Sequence, residues 1–477
     1  MGTNDMDTNL ERVDPFIHQA LQGEKHRQKT QIELIASENT VSRAVLHALG
    51  SEITNKTVEG YPGNRFHGGA EFADIVEQAA IDRARELFGC DYVNAQPHSG
   101  SQANQAVLYA LLQPGDRILS LDLAAGGHLS HGAKANQSGH IYQPFHYHVS
   151  RETGLIDYDQ VEKIALKVKP KLLIAGGSAY PREIDFERMR HIANTIHAFF
   201  LVDMAHFAGL VAAKVHPSPV PFADVVTLTT TKTMRGARGG LIVSNKKELF
   251  QKLQSSVFPG VQGSIHLQVI AAKAVCLGEA LQADFKTYGR KVRDNARMLA
   301  QALSQNGVKI IADGTDTHLV LLDLSSKKMT GQQAQDILEH VNITSNKNPI
   351  PFDSPIPSKW IGLRLGSSAG TTRGFETSQF EMIGAWIAEL FDCVTKPGDV
   401  RKETIHSIRK QVSDLCHKYP IYELYLPGYF PQTHFPFTNG FEGKTLVSIT
   451  HIYDICGTDR TPVFLCYLWF LSAHRQV

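Results

Sequence analysis

Between about Thr40 and Glu279, short apolar runs rich in β-branched and aromatic residues alternate with amphipathic stretches of helical spacing. "DRILSLDL", "KLLIAG", "AFFLVDM", "ADVVTL" and "GGLIVS" read as strands. Their alternation with helical segments predicts an α/β domain on a mainly parallel sheet, here 40–279. A 3.6-residue period follows in "KTYGRKVRDNARMLAQALSQNG", then strands in "THLVLLDL" and "IGLRLG", so a smaller C-terminal α/β domain is expected over 280–422. Upstream, Asp14-Pro15 has the form of an N-cap with proline at the first helical position, opening a short helix through Phe16, Ile17, Ala20 and Leu21. Residues 1–39 therefore read as an arm. The segment 423–477 turns to Pro, Gly and aromatic clusters and resembles neither domain, and no internal repeat is present.

Composition narrows the function classes. The 477 residues are 42% hydrophobic and 20% charged, and 48 basic against 47 acidic residues leave a net charge of +1. Such a balance gives no global field for nucleic acid or an anionic membrane, so neither is expected as a partner. Cys90, Cys276, Cys393, Cys416, Cys456 and Cys466 include no CxxC pair, which argues against a zinc ribbon and a disulfide framework and fits a reducing compartment. The N-terminal "MGTNDMDTNLERVDPF" has no basic region followed by an apolar one, and "VFLCYLWFL" is about half the roughly 20 residues of a membrane helix. A cytosolic location is expected.

In α/β sheets ligands bind beyond the C-terminal strand ends, and three such ends carry matching chemistry. Ser99-Gly100-Ser101 leads into a helix, where hydroxyls and free N–H groups suit a phosphate; an ordinary serine N-cap is the plainer alternative. Asp203 closes "FFLVDMAH" as a carboxylate able to pair with a protonated pyridine nitrogen, or as a turn-forming aspartate. Lys232, in "TLTTTKTMRGARGG", follows the next strand, so its amine can reach the same crevice. Cradle, carboxylate and amine are what pyridoxal phosphate requires, with the lysine holding the cofactor as an imine and Arg235 and Arg238 lowering its pKa. Arg364 in "IGLRLGSSAGTTRGF" is the candidate anchor for a substrate carboxylate. His128 and His131 have HxxH spacing, with Asp203 and His206 elsewhere, but the glycines around them oppose a regular metal-binding helix, and no metal is expected.

The chain closely resembles the serine hydroxymethyltransferase family from about Glu33 to Tyr422. "ELIASEN", "DIVEQ", "QPHSGSQAN", "GGHLSHG", "VDMAH", "NKN" and "LRLG" carry the likeness. The resemblance implies a fold type I, aspartate-aminotransferase-like enzyme using pyridoxal 5'-phosphate and tetrahydrofolate, assembled as a homodimer or homotetramer with active sites at subunit interfaces. It implies Lys232 as the Schiff-base lysine, Asp203 as the pyridinium partner and Ser99, Gly100 and Ser101 as the phosphate cradle. His128 would stack on the ring, with Ser178 and His206 near its 3-hydroxyl, and Ser37 and Arg364 would hold the substrate carboxylate. Glu59 would be the acid/base near the hydroxymethyl group and folate. Leu123, Gly127, Leu129 and Asn348 would contact folate, and Gly263 would lie where a neighbouring subunit closes on the phosphate.

Four positions depart from the family pattern and are expected to cluster at the site. Thr231 replaces the histidine before the lysine, Thr57 the tyrosine of "NKYxEGYPG", and Phe66 and His67 the tyrosines of "RYYGG"; the loop "PGVQGSI" is also altered. Vacated volume at Thr57 leaves room for a bulkier substrate. The leading expectation is hydroxymethyl transfer between serine, or an α-substituted serine, and glycine or its analogue. Alternatives are a folate-independent aldolase or transaldolase of β-hydroxy amino acids, and a weakly catalytic paralogue acting through subunit assembly.

Overall fold

The computed structural model describes residues 10–422 except 355, 397, 398 and 401, so the expected tail lies outside the described residues. Helix α1 (Pro15–Thr30) begins as its sequence predicts: Asp14 caps it by accepting from the Ile17 N–H, and Pro15 occupies the first turn. None of its side chains is buried against the chain. Strand β1 (Ile32–Glu33) follows.

The large sheet runs through β2 (Tyr92–Asn94), β3 (Arg117–Leu121), β4 (Gln143–Tyr147), β5 (Leu172–Gly176), β6 (Phe199–Asp203), β7 (Val225–Thr229) and β8 (Gly240–Ser244). Their spatial order is β2-β8-β7-β6-β5-β3-β4. Strands β3 to β7 pair in parallel, whereas β8 is antiparallel to both β7 and β2. β5 is buried along its whole length, as a parallel strand covered on both faces must be. All five apolar runs singled out in the sequence are strands of this sheet. Helix α2 (Gly100–Leu111) starts between β2 and β3.

A second sheet, of β9 (Lys309–Ile310), β10 (Leu319–Asp323), β12 (Asn346–Asn348) and β13 (Gly362–Gly366), is ordered β9-β10-β13-β12. The long helix α4 (Ala283–Gln305) supplies Leu299 and Leu303 to its core, after α3 (Leu267–Ala280) has packed with the large sheet. β1 pairs in parallel with β11 (Ile343–Thr344), and Ile32 and Leu34 enter the second core. This brings Ala36 and Ser37 beside β13, because the Gly366 N–H donates to the Leu34 carbonyl at 2.7 Å.

Candidate functional site

The end of β6 places Asp203 in a set of three donors. Its carboxylate accepts from Asn104 Nδ2 at 2.8 Å, His131 Nε2 at 3.0 Å and the Ala205 N–H at 3.0 Å. Burial pushes its pKa up, but the hydrogen bond and charge of His131, aided by Asn104, hold it well below the usual carboxylate range. Asp203 is thus an anion fixed in orientation. Asn104, from the first turns of α2, accepts from Thr227 Oγ1 at 2.6 Å and donates to Ser130 Oγ at 2.9 Å.

His128 belongs to the same lattice. Its Nδ1 lies 2.7 Å from Ser130 Oγ and accepts the Ser130 N–H at 3.2 Å, and burial lowers its pKa to about 4. The imidazole is neutral at physiological pH. Donor atoms of His128, His131 and Asp203 all lie within 4.8 Å of one another, a grouping of metal-binding type. Hydrogen bonds account for it: His131 Nε2 is engaged by Asp203 and His128 Nδ1 by Ser130.

Lys232 opens a short 3-10 turn just beyond β7, with its backbone in the left-handed region at φ +47°. That conformation is strained for a lysine. It is held by Asn39 Nδ2, which donates to the Lys232 carbonyl at 2.7 Å, and by the Arg235 N–H at 3.0 Å. Burial lowers the amine's pKa to about 8; Asp203 opposes the shift, and Arg364 and Arg238 add to it. Arg235 has a different place from the one expected: its guanidinium lies 4.5 Å from the Tyr288 ring centre and over Phe285, where cation–π attraction holds it. The cations acting on Lys232 are therefore Arg364 and Arg238.

Ser99 fulfils the plainer of its two readings and leaves room for the other. Its Oγ accepts the Gln102 N–H at 3.1 Å, so it is an N-cap, and the first-turn N–H groups of Gly100 and Ser101 have no intrahelical partner. A side chain at Gly100 would strike Thr229, since a Cβ there would stand 2.5 Å from Thr229 Cγ2. The helix start is thereby pressed against the end of β7, one turn of chain from Lys232.

Arg364 is buried in β13. It donates to the Ser178 carbonyl at 2.7 Å and to Asn346 Oδ1 at 3.3 Å, while its Nε has no partner. Burial lowers its pKa to about 10, which leaves it cationic at neutral pH. Among the described residues no carboxylate pairs with it. Ser37 follows Ala36, which packs directly on Gly366, two residues past Arg364. Ser178 serves Arg364 through its carbonyl, and its own N–H is bonded to the Gly126 carbonyl at 2.7 Å. His206 is buried, 3.3 Å from His318 through Nδ1.

The remaining expected residues divide into two further groups. Leu123 and Leu129 are exposed on either side of Gly127, itself packed on the Leu121 carbonyl, and Asn348 ends β12 with its amide on the Pro349 carbonyl at 2.6 Å. Glu59 accepts from Ser264 Oγ at 3.2 Å, next to Gly263, and among the described residues no hydrogen bond or ion pair joins this pair to Lys232. Thr57, Phe66 and His67 are exposed near Glu59 in the chain, so of the four departures only Thr231 adjoins Lys232. Among the described residues, the other three departures lie with Glu59 rather than beside Lys232 in the chain.

His131, Asn104 and Thr227 were not assigned these roles from sequence. HxxH spacing marked His131 as a possible ligand, whereas its function is to hold Asp203. Taken together, an amine of lowered pKa, an oriented carboxylate, an open helix N-terminus and an unpaired buried guanidinium fit pyridoxal phosphate and an amino-acid carboxylate.

A model of the serine hydroxymethyltransferase family matches residues 10–387. The chain belongs to that family. A 2-methylserine hydroxymethyltransferase from an Aminobacter species is 60% identical over 415 residues, 87% of this chain and 97% of the relative. One from an Ensifer species is 60% identical over 412 residues, 86% and 96% of the two chains. A serine hydroxymethyltransferase from Rhodospirillum centenum is 55% identical over 421 residues, 88% and 98%. The fold is accordingly fold type I, and the protein is a pyridoxal-phosphate-dependent hydroxymethyltransferase with tetrahydrofolate as co-substrate. No helix among the described residues is long and apolar enough to cross a membrane.

Proposed function

We propose that this enzyme transfers the hydroxymethyl group of α-methylserine, as well as serine, to tetrahydrofolate, with Lys232 holding the cofactor. The observation that carries the site assignment is Arg364: a buried cation with an unpartnered Nε and, among the described residues, no carboxylate paired with it calls for an anion from outside the chain. We assign it, with Ser37, to the substrate carboxylate. Pyridoxal phosphate, when bound, supplies the electron sink for charge developing at the amino acid's Cα.

The chain's own residues supply position and protonation. Asp203 keeps a proton on the ring nitrogen, and His131 and Asn104 keep Asp203 ionised and aimed. Neutral His128 would face the ring, and Ser99, Gly100 and Ser101 would hold the phosphate at the α2 N-terminus. Leu123, Gly127, Leu129 and Asn348 meet the folate. Glu59 and Gly263 reach the site of a second copy, in a homodimer or homotetramer, which explains why they sit with exposed Thr57, Phe66 and His67 rather than with Lys232. A cytoplasmic location goes with this assignment.

The α-methyl preference draws on the small side chains Thr57 and Thr231 and on two 60% identical relatives named for 2-methylserine. Borohydride reduction of the loaded protein followed by peptide mapping tests the assignment of Lys232. The cofactor mass is expected on the peptide containing Lys232; a label elsewhere contradicts it.

A further inference from the structure

His318 touches two groups through a single nitrogen. Its Nε2 lies 3.1 Å from the Ala36 carbonyl oxygen and 3.3 Å from His206 Nδ1, while its Nδ1 is buried without a partner. The Ala36 oxygen can only accept, so His318 Nε2 must carry the hydrogen. The opposite tautomer would set a lone pair against that oxygen and bury an N–H with no acceptor, a loss on both counts. The Nε2–H therefore serves Ala36 and His206 Nδ1 together, and His206 Nδ1 is an acceptor. A neutral imidazole that accepts at Nδ1 carries its hydrogen on Nε2.

Neutrality of both rings follows from their surroundings. His206 is buried facing Lys232, Arg364, His318 and His128, and its pKa lies far below the ordinary value. Burial likewise lowers His318 to about 3, with Arg364, Lys232 and His216 acting in the same sense and its contact with Ala36 opposing. The rings lie at 25° to one another with centroids 5.4 Å apart. No hydrogen bond to His206 Nε2 is present among the described residues, leaving that N–H for an acceptor from outside the chain.

We propose that His318 is a positioning residue that locks His206 as the Nε2–H tautomer, so that His206 presents a permanent donor to an anionic oxygen of the bound cofactor. The inference rests on the site reading above for the identity of that oxygen, whereas the tautomer itself depends only on this chain. The same carbonyl contact ties Ala36, and hence Ser37, to the cofactor side of the site. His318 thus joins the cofactor's oxygen and the substrate's carboxylate anchor through one imidazole.

The test uses histidine labelled with nitrogen-15 in the full-length chain, first free of cofactor and then loaded, with His206→Asn assigning the His206 signals. Two-bond nitrogen–proton spectra of the wild-type chain are expected to show His206 as Nε2–H alone. His318→Leu is expected to give a mixture of tautomers and to shift the pH midpoint of the bound cofactor's absorbance by about one unit. His318→Gln, whose amide N–H replaces Nε2–H, is expected to restore both. A wild-type His206 carrying hydrogen on Nδ1 overturns the proposal whether or not the variants fold, as does a His318→Leu variant with wild-type tautomer and wild-type titration. A wild-type chain that shows the Nε2–H tautomer but binds no pyridoxal phosphate instead overturns the site reading and leaves the lock standing.

Discussion

Gly239 and Lys273 compete for one space: a Cβ at position 239 would stand 2.0 Å from Lys273 Cε. The lysine stem runs through the gap that glycine leaves, and its ammonium donates to the carbonyls of Ala95, Pro97 and Gly240 at 2.8, 2.9 and 2.9 Å. It ties the segment before Ser99 to β8. Lys273→Met strands three buried acceptors, so unfolding stability is expected to fall by roughly 3 kcal/mol, with weaker cofactor retention. Urea midpoints with an unchanged slope check this, and a midpoint equal to wild type contradicts it.

Arg364→Met removes the cation assigned to the substrate carboxylate. The expected result is a loss in kcat/KM of about 100-fold or more, with cofactor content unchanged. Arg364→Lys is expected to recover little, because a point charge cannot reproduce the planar fork. Steady-state kinetics with cofactor quantified by absorbance separates the two effects.

Lys232 reacts as the neutral amine, and its fraction rises as pH rises through the lysine's own pKa. With that value near 8, capture of pyridoxal phosphate by cofactor-free protein should accelerate from pH 6.5 and level off above about pH 9. A midpoint near the ordinary lysine value of about 10.4 would show that burial and Arg364 do not act on the amine.

Asp203→Asn removes the anion that three donors hold, and turnover is expected to fall about 1000-fold. His131→Leu removes one donor of the three, with an expected loss nearer 10-fold. The depressed Asp203 pKa contributes stability that is present above the ordinary carboxylate pKa of about 4 and is lost as pH falls through the folded value. The stability difference between wild type and Asp203→Asn should therefore be flat from pH 8 to 5 and shrink only in stronger acid.

Much of this was legible in the chain itself, for identifiable reasons. Continuous apolar runs such as "KLLIAG" mark strands buried on both faces, and polar residues immediately after them fall at strand ends where ligands bind. Asp203, Lys232 and Ser99 were singled out on that basis. The partners of Asp203 were not, because Asn104 and His131 approach it from segments 99 and 72 residues away and each has a commonplace local context. Lys273 sits on a largely apolar helix, where spacing gives no sign that its ammonium caps three carbonyls. Arg235 was misread because sequence nearness to Lys232 does not say which way a left-handed residue sends its side chain; Tyr288, 53 residues on, decides that. Glu59 and Gly263 were assigned separately from sequence, and their approach to each other through Ser264 is a contact that no strand pattern encodes.

The most direct measurement is hydroxymethyl transfer by the purified, pyridoxal-loaded enzyme from α-methylserine and from serine, each with and without tetrahydrofolate, with threonine cleavage as the control. Folate-dependent turnover of both amino acids is predicted, with α-methylserine preferred and the preference reduced in Thr57→Tyr and Thr231→His by about 10-fold. Cleavage indifferent to folate, or strict preference for serine with no effect of either substitution, would contradict the proposed substrate and the part assigned to Thr57 and Thr231.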